Sequence, residues 1–478
     1  MILIAAALAI AAFVLGFQIF GIVPTARRIV GVAGGATAVM RDAEMDDEAK
    51  EKAIQKAALS MMGGAVSIFL RIAATLLLTL LPIYLLSWVG WVETGDVFAF
   101  LARIDVIIGA TIVVGGAVYF WSKRPKPAAS AYGAMDRFMH RLAFGAPFVQ
   151  ATAADMEDNM FAGDLTDIPE RPPVFITSLP RAGTTIILNA LHELPQVATH
   201  LYRDMPFIMA PLLWSRMSGG FQKDSELAER AHGDGIKVGF DSPEAFEEVI
   251  WRHHWPAHYG ANGIRMWHTG DADADATAFL TKHFRKIVAL RRGPKGRYVS
   301  KNNGNIARLA LLRQMYPDAA IIVPVRDPGE HAASLLRQHL NFLDQHTADP
   351  FVKTYMEDIG HLEFGALHRP ILFDGFDGVR GTATPSDLDY WLAYWIAAME
   401  HVLAAPQGLL IVTDIALQVA PQKTMSALCN RAGLDPEDVD FTTHFRKIDK
   451  KTKASDFDAG LMARAQALYD ELAKISIS

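Results

Sequence analysis

Pro173-Val-Phe-Ile-Thr-Ser-Leu-Pro-Arg-Ala-Gly-Thr-Thr185 decides the fold. Val174 to Ile176 is a short apolar run of β type, and Ile186-Ile-Leu-Asn-Ala-Leu191 opens a helical pattern. A polar turn joins them. Strand, tight turn and helix start is the geometry that binds phosphate, because the first helical N–H groups and the positive dipole end converge on one spot. Gly183 lets backbone approach an anion, Thr184 and Thr185 add hydroxyl donors, and Arg181 adds a planar cation that can hold two oxygens. The turn departs from the Walker A pattern. Ser178 stands at the first Gly and Thr184 at the Lys, so the cation has moved inside the loop. Taken alone, the stretch is also an ordinary strand-to-helix turn.

A second strand, Ala319-Ala-Ile-Ile-Val-Pro-Val-Arg-Asp-Pro328, ends in a charged turn, and Ser334 follows in a helical stretch. Asp327 and Pro328 also suit a helix start, as cap and first residue. Tyr298 to Lys301 is a third strand, with Asn302 to Asp318 running through a helix to the Arg326 strand. Gly408 to Asp414 and Pro421 to Leu434 provide a last strand and helix. Alternating strands and helices predict an α/β fold, a P-loop-type parallel sheet with helices on both faces.

These stretches resemble the sulfotransferase family, in its Pro-Arg-x-Gly-Thr-Thr form, over roughly residues 170–450. The resemblance implies that Arg181, Ala182, Gly183, Thr184 and Thr185 hold the 5′-phosphosulfate of 3′-phosphoadenylyl sulfate. It implies that Arg326 and Ser334 hold the 3′-phosphate. Ala333 departs from the family, which often has Ser there. Lys301 ends its strand, where α/β folds place functional groups, and is a catalytic candidate with Arg181. The chemistry implied is in-line sulfuryl transfer to a hydroxyl or amine, without a metal.

For the acceptor's proton, Asp204 is the first candidate and His200 the second, with His232 and Glu248 open alternatives. Arg203, His232, Asp234 and Glu248 are the expected acceptor contacts. Asp204 also fits a cap or an ion pair with Arg203, and Phe240 to Trp251 also fits a capped helix start. Residues 215–295 are expected to be an acceptor-side insertion. Its Trp251, His253, His254, Trp255 and Tyr259 suit a packed cluster or a sugar-stacking surface. His444 to Lys453 is basic and resembles in part a donor-closing loop, but Ile448 replaces the expected Gly.

The remaining third is a different kind of chain. Over 478 residues the net charge is a modest −6, which argues for no particular partner, and no nucleic-acid partner is expected, but mean hydropathy is positive at +0.16. The excess lies in three apolar runs, Ile2–Val23, Val66–Trp91 and Ile104–Trp121, and about 20 residues cross a bilayer. Residues 1–122 are therefore expected to be a membrane region, 123–170 a connector and 171–478 the catalytic domain. Arg27, Arg28, Arg41, Lys50, Lys52 and Lys56 after the first run, and Lys123, Arg124 and Lys126 after the third, place those segments inside. The expectation is a multi-pass protein of the cell inner membrane with a cytoplasmic catalytic domain, and a glycan or lipid-linked glycan as acceptor. A charged helix is expected over 42–58. Cys429, the single cysteine, falls in an apolar helical pattern and reads as core.

Overall fold

Val174–Ile176, three apolar residues fully removed from water, form β1 at the centre of a parallel sheet. A parallel strand is covered on both faces and so reads as an unbroken apolar run. The computed structural model describes residues 1–20, 47–106, 109, 134–145, 147–218, 228–229, 237–445 and 452–477. The chain divides into two compact units, Met1–Met135 and Asp136–Ser478.

In the first unit α1 spans Ile2–Ile19, α2 Asp47–Trp88 and α3 Thr94–Leu101. Ala5 and Ala9 of α1 pack on Ile83 of α2 and Val97 of α3. A Cβ built on Gly16 would lie 3.1 Å from Thr75 Cγ2, so glycine eases the close approach of the two helices here. Arg71 donates to the Phe20 carbonyl and, at 3.1 Å, to Ser67 Oγ, which spends its charge locally. Over Phe69–Trp88 the outward-facing residues of α2 are apolar, among them Phe69, Leu70, Leu77, Leu81 and Trp88. Phe69–Trp88, with mean hydropathy 2.1, is the one helix among the described residues long and apolar enough to cross a membrane. Of the three expected spans, the first corresponds to α1 and the second to the C-terminal half of α2. The third lies outside the described residues except for 104–106 and 109. The charged helix expected over 42–58 is, from Asp47, continuous with the apolar run in α2.

The second unit is built on five parallel strands: β1, β2 (Val197–Ala198), β3 (Arg297–Lys301), β4 (Ala320–Val325) and β5 (Leu409–Thr413), in the order β2-β3-β1-β4-β5. Ile176 stands in register with Lys301 on one side and Ile322 on the other. Helix α4 (Thr184–His192) lays Ile187, Leu188 and Leu191 on Val174, Ile176 and Val299. The same layer takes Met425, Leu428 and Cys429 from the helix Pro421–Ala432. Cys429 is wholly buried and its thiol is pushed up to about 12, which fits the core reading. On the other face α5 (Ala274–Arg291) stacks Phe284 on Tyr298 at 4.1 Å between centroids. Beyond it run α6 (Pro328–Ala348), α7 (Leu388–Ala404), which buries Trp391 and Trp395, and α8 (Ala459–Lys474).

Two segments differ from the expected domain plan. Residues 136–170, read as connector, belong to the catalytic unit. Helices Ala134–Phe144 and Pro147–Met160 lie there, and the following turn packs Phe161 and Leu165 against Leu212. Glu157 is fully buried and pairs with Lys286 of α5 at 3.0 Å, which ties the segment to the sheet. The expected insertion over 215–295 is likewise no appendage, since α5 supplies a layer of the sheet. A two-residue ladder joins Ala228–Glu229 to Lys237–Val238, and 219–227 and 230–236 lie outside the described residues.

Candidate functional site

Four parallel strands end beside one another, and each ending carries a polar residue into one cavity of about 650 Å³. After β1 comes the loop Pro180–Gly183, at the end of β3 Lys301, after β4 Arg326, and after β5 Asp414. Such a crevice beyond strand C-termini is where open α/β sheets bind ligands. The volume falls in the range of small-molecule sites.

The first loop is held in an uncommon backbone state. Arg181 has φ +72° although it carries a side chain, and Gly183 has φ +100°. Conformations of this kind cost about 1–3 kcal/mol at non-glycine positions and persist where surroundings impose them. Here His331 of α6 fixes the loop by bonding the Pro180 carbonyl through Nε2 at 2.7 Å. His331 is buried, with Arg326 nearby, and its pKa is pushed down to about 3, so the ring is neutral and Nε2–H donates. Gly183 is the N-cap of α4 and offers no capping side chain. The first amides of that nine-residue helix therefore have no side-chain acceptor, and Thr184, Thr185 and Ile186 line the cavity. This is a helix end prepared for an anion. Thr184 Oγ1 is steadied by Asn303 at 3.2 Å.

The two loops meet. Arg326 Nη1 donates to the Arg181 carbonyl at 3.2 Å, and Arg181 Nε lies 3.4 Å from Ser334 Oγ. Ala333 in place of Ser does not prevent this, because Ser334 itself reaches across. Asp327 caps α6 by accepting from Glu330 N, with Pro328 first in the helix, so the helix-start reading holds beside the phosphate reading. Asp414 binds Tyr469 of α8 at 2.9 Å, and burial raises its pKa.

Among the acceptor-side candidates the structure separates site from support. Asp204 is buried and does not line the cavity. It pairs with Arg291, bonds His200 Nδ1 at 3.2 Å and accepts from Leu201 N at 2.9 Å. Burial works to raise its pKa, but Arg291 and His200 outweigh it and hold the carboxyl below the usual range. A low-pKa carboxylate with its oxygens engaged is placed as a positioning group, so its choice as first base finds no support in its location. The expected cap or Arg203 pairing is half met, for the ion partner is Arg291. His200 is similarly enclosed, 3.0 Å from His283 Nε2. Arg203 pairs with Asp241 at 2.5 Å, away from the cavity lining.

Glu248 lies in a buried knot with Arg308, Tyr259 and Asn302, and Arg308 is sandwiched between Trp251 and Trp267 at 4.4 and 4.2 Å. Arg308 draws Glu248 below its ordinary range against the opposing effect of burial. Trp251 and Trp255 stack in that knot and do not form a sugar platform. His232 and Asp234 lie outside the described residues, as do Arg446 and Lys447 of the basic run. At the near end of that run His444 and Phe445 line the cavity, and at its far end Thr452 bonds Glu330 at 2.7 Å.

Lys301 does reach the cavity, paired to buried Glu244 at 3.2 Å. Glu363, Phe342, His346 and Phe364 line it as well and were not singled out from sequence. No strand or motif marks them. Among the described residues no cluster of three metal-ligating side chains occurs.

Residues 172–368 match the model of the sulfotransferase family. That stretch is a sulfotransferase-family domain, which supports an enzyme of that class. Solved bacterial sulfotransferases also align with the chain. STF9 from Mycobacterium avium aligns at 12% identity and TM-score 0.41, over 73% of this chain and 88% of that one. STF1 from Mycobacterium tuberculosis H37Rv aligns at 14% and 0.38, with the same coverages. A sulfotransferase from Alicyclobacillus acidocaldarius aligns at 14% and 0.33, over 63% and 96%. No curated protein sequence matches the chain. The assignment rests on the match over 172–368.

Proposed function

We propose that the chain transfers a sulfuryl group from 3′-phosphoadenylyl sulfate (PAPS) to a hydroxyl or amine of an acceptor at a membrane. The observation that carries this is the meeting of two anion holders at one cavity: the uncapped start of α4 with Arg181, and Arg326, which bonds the Arg181 carbonyl, while Ser334 lies behind the lining on Arg181 Nε. In this reading the 5′-phosphosulfate lies on the loop Arg181–Thr185, and Arg326 and Ser334 take the 3′-phosphate. The acceptor oxygen attacks sulfur in line, the bond from sulfur to the bridging oxygen breaks, and charge grows on the departing 5′-phosphate. Arg181, Lys301 and the α4 amides are aimed at that charge, and such preorganised donors supply most of the rate in comparable transfers. The metal-free reading follows from this set, since two cations, Arg181 and Lys301, and a helix end are there to neutralise the leaving group.

The apolar helix Phe69–Trp88 supports a membrane-bound protein. Lipid bilayer contact, several spans in the inner membrane and a cytoplasmic catalytic unit are part of the same reading, drawn from the Lys and Arg distribution. A glycan or lipid-linked glycan is the acceptor that anchoring suggests, with Arg203, His232 and Asp234 as its outlying contacts. The test is calorimetry of the full chain in detergent with adenosine 3′,5′-bisphosphate, without metal, for wild type and Arg326→Ala. Micromolar binding that weakens at least about tenfold in the variant supports the donor, as expected for one lost charged hydrogen-bond set. Binding of ATP–magnesium in its place would make the chain a nucleotide-dependent kinase, and binding of neither a scaffold with a degenerate site.

A further inference from the structure

The cavity is chemically divided. Its loop side is cationic, as described. The side toward α6 and the helix Pro350–Asp358 is walled by Phe342, Met356 and Phe364, all buried. A smaller cavity of about 40 Å³ adjoins it, shares Pro180, Lys301 and Glu363 with it, and adds Leu335 and Ile371 together with Glu248 and Asn302, whose polar atoms are spent on each other and on Arg308. Within these apolar walls stands Glu363, half-buried, whose carboxylate makes no hydrogen bond or ion pair with a described residue. His346 offers the complement. Its Nδ1 accepts from Ala366 N at 3.2 Å, which leaves the proton of the neutral ring on Nε2, buried and without a partner among the described residues.

We infer that the acceptor's reacting end is a single hydroxyl on an aromatic or alkyl group, and that Glu363 takes its proton. The inference rests on the PAPS reading and narrows its acceptor. A sugar ring presents several hydroxyls, each of which costs free energy when buried without a partner. Phe342, Met356 and Phe364 offer no such partners, whereas one acceptor at Glu363 and one donor at His346 match one hydroxyl. The remaining contact is then apolar burial. In the transfer the acceptor oxygen forms its bond to sulfur as its proton passes to the Glu363 carboxylate. The bond from sulfur to the bridging oxygen breaks, with its electron pair going to the 5′-phosphate. The products are a sulfate ester and adenosine 3′,5′-bisphosphate. Lys301, paired to Glu244, lines both cavities, as Glu363 does.

The experiment uses the full chain in detergent with PAPS and three probe acceptors: 2-naphthol, 1-decanol and methyl β-glucoside. Bisphosphate binding is measured alongside. Expected is kcat/KM for 2-naphthol or 1-decanol at least about a hundredfold above the glucoside, the scale on which unpaired polar groups discriminate. Glu363→Gln is expected to lower kcat by about 10²–10⁴, the usual contribution of a general base, with the bisphosphate Kd unchanged. Phe364→Ala is expected to raise KM for 2-naphthol about tenfold with a smaller effect on kcat, by loss of aromatic contact. Retained bisphosphate binding with the glucoside as the better substrate, or with neither apolar probe turned over, overturns the acceptor class. Full kcat in a bisphosphate-binding Glu363→Gln overturns the base. A folded protein that binds no bisphosphate overturns the donor reading first, and this inference with it.

Discussion

Arg181 combines three demands in one residue. It takes a left-handed backbone, its carbonyl receives Arg326, and its guanidinium reaches Ser334. Replacing it with Ala removes charge where negative charge grows. At about 1.5–3 kcal/mol for a charged hydrogen bond, kcat is expected to fall by about ten- to several hundredfold, read in single-turnover assays with PAPS. Stability should change little, since the side chain faces a cavity. Glu248 is the contrasting residue. Its carboxylate is spent on Arg308, so Glu248→Ala leaves a buried guanidinium unpaired between two tryptophans. The expected loss is about 3–5 kcal/mol in urea unfolding, with KM for acceptor unchanged in whatever folds. A rise in KM at full stability would restore Glu248 as an acceptor contact.

At the scale of elements, the start of α4 works through backbone alone. Gly183 at φ +100° sets the helix end, and no atom lies within 4 Å of where a Cβ would stand. A side chain there is therefore strained without being crowded. Gly183→Ala is expected to cost about 1–2 kcal/mol and to weaken bisphosphate binding as the amides turn away. Equal affinity in the variant would show that the amides do not touch the donor. The pairing of β1 with β3 and β4 is what brings the three loops together, and it follows from buried apolar runs short enough to be strands. The helices Ala134–Phe144 and Pro147–Met160 were less legible. Their helical character lies within a segment bounded by prolines, and their burial depends on distant partners such as Lys286.

For the whole molecule, pH is a sensitive variable. His331 and His368 are pushed down to about 3 and 4, chiefly by burial, and His283 lies well below its usual value. Between those values and about 6.5 the unfolded chain binds protons that the folded chain refuses, so stability falls as pH drops through this window. Asp204 and Glu248, held low in the fold, add to the loss as pH nears 4. Asp414 and Glu157, both raised by burial, oppose it. Urea midpoints should decline steadily from pH 7 to 4, and a flat profile would contradict the buried neutral histidines. The two-unit division predicts that residues 136–478 fold alone and bind bisphosphate with unchanged Kd. Loss of binding on truncation would make the first unit part of the donor site.

The sequence by itself determined the features that depend on local order. β1, the anion loop, α4, the Arg326 strand and the apolar helix in α2 are each written in consecutive residues, because strand runs, turn glycines and helix periodicity act over a few positions. The buried state of Cys429 was legible for the same reason. Tertiary structure alone decided which carboxylates are free. Asp204, Glu248 and Glu363 are the same kind of group in sequence, yet Arg291 claims the first and Arg308 the second, from 87 and 60 residues away. Glu363 lines the cavity, its carboxylate with no hydrogen bond or ion pair to a described residue, because the fold sets Phe342, Met356 and Phe364 in that wall. Ion pairing and burial are properties of neighbours in space, which no local pattern encodes.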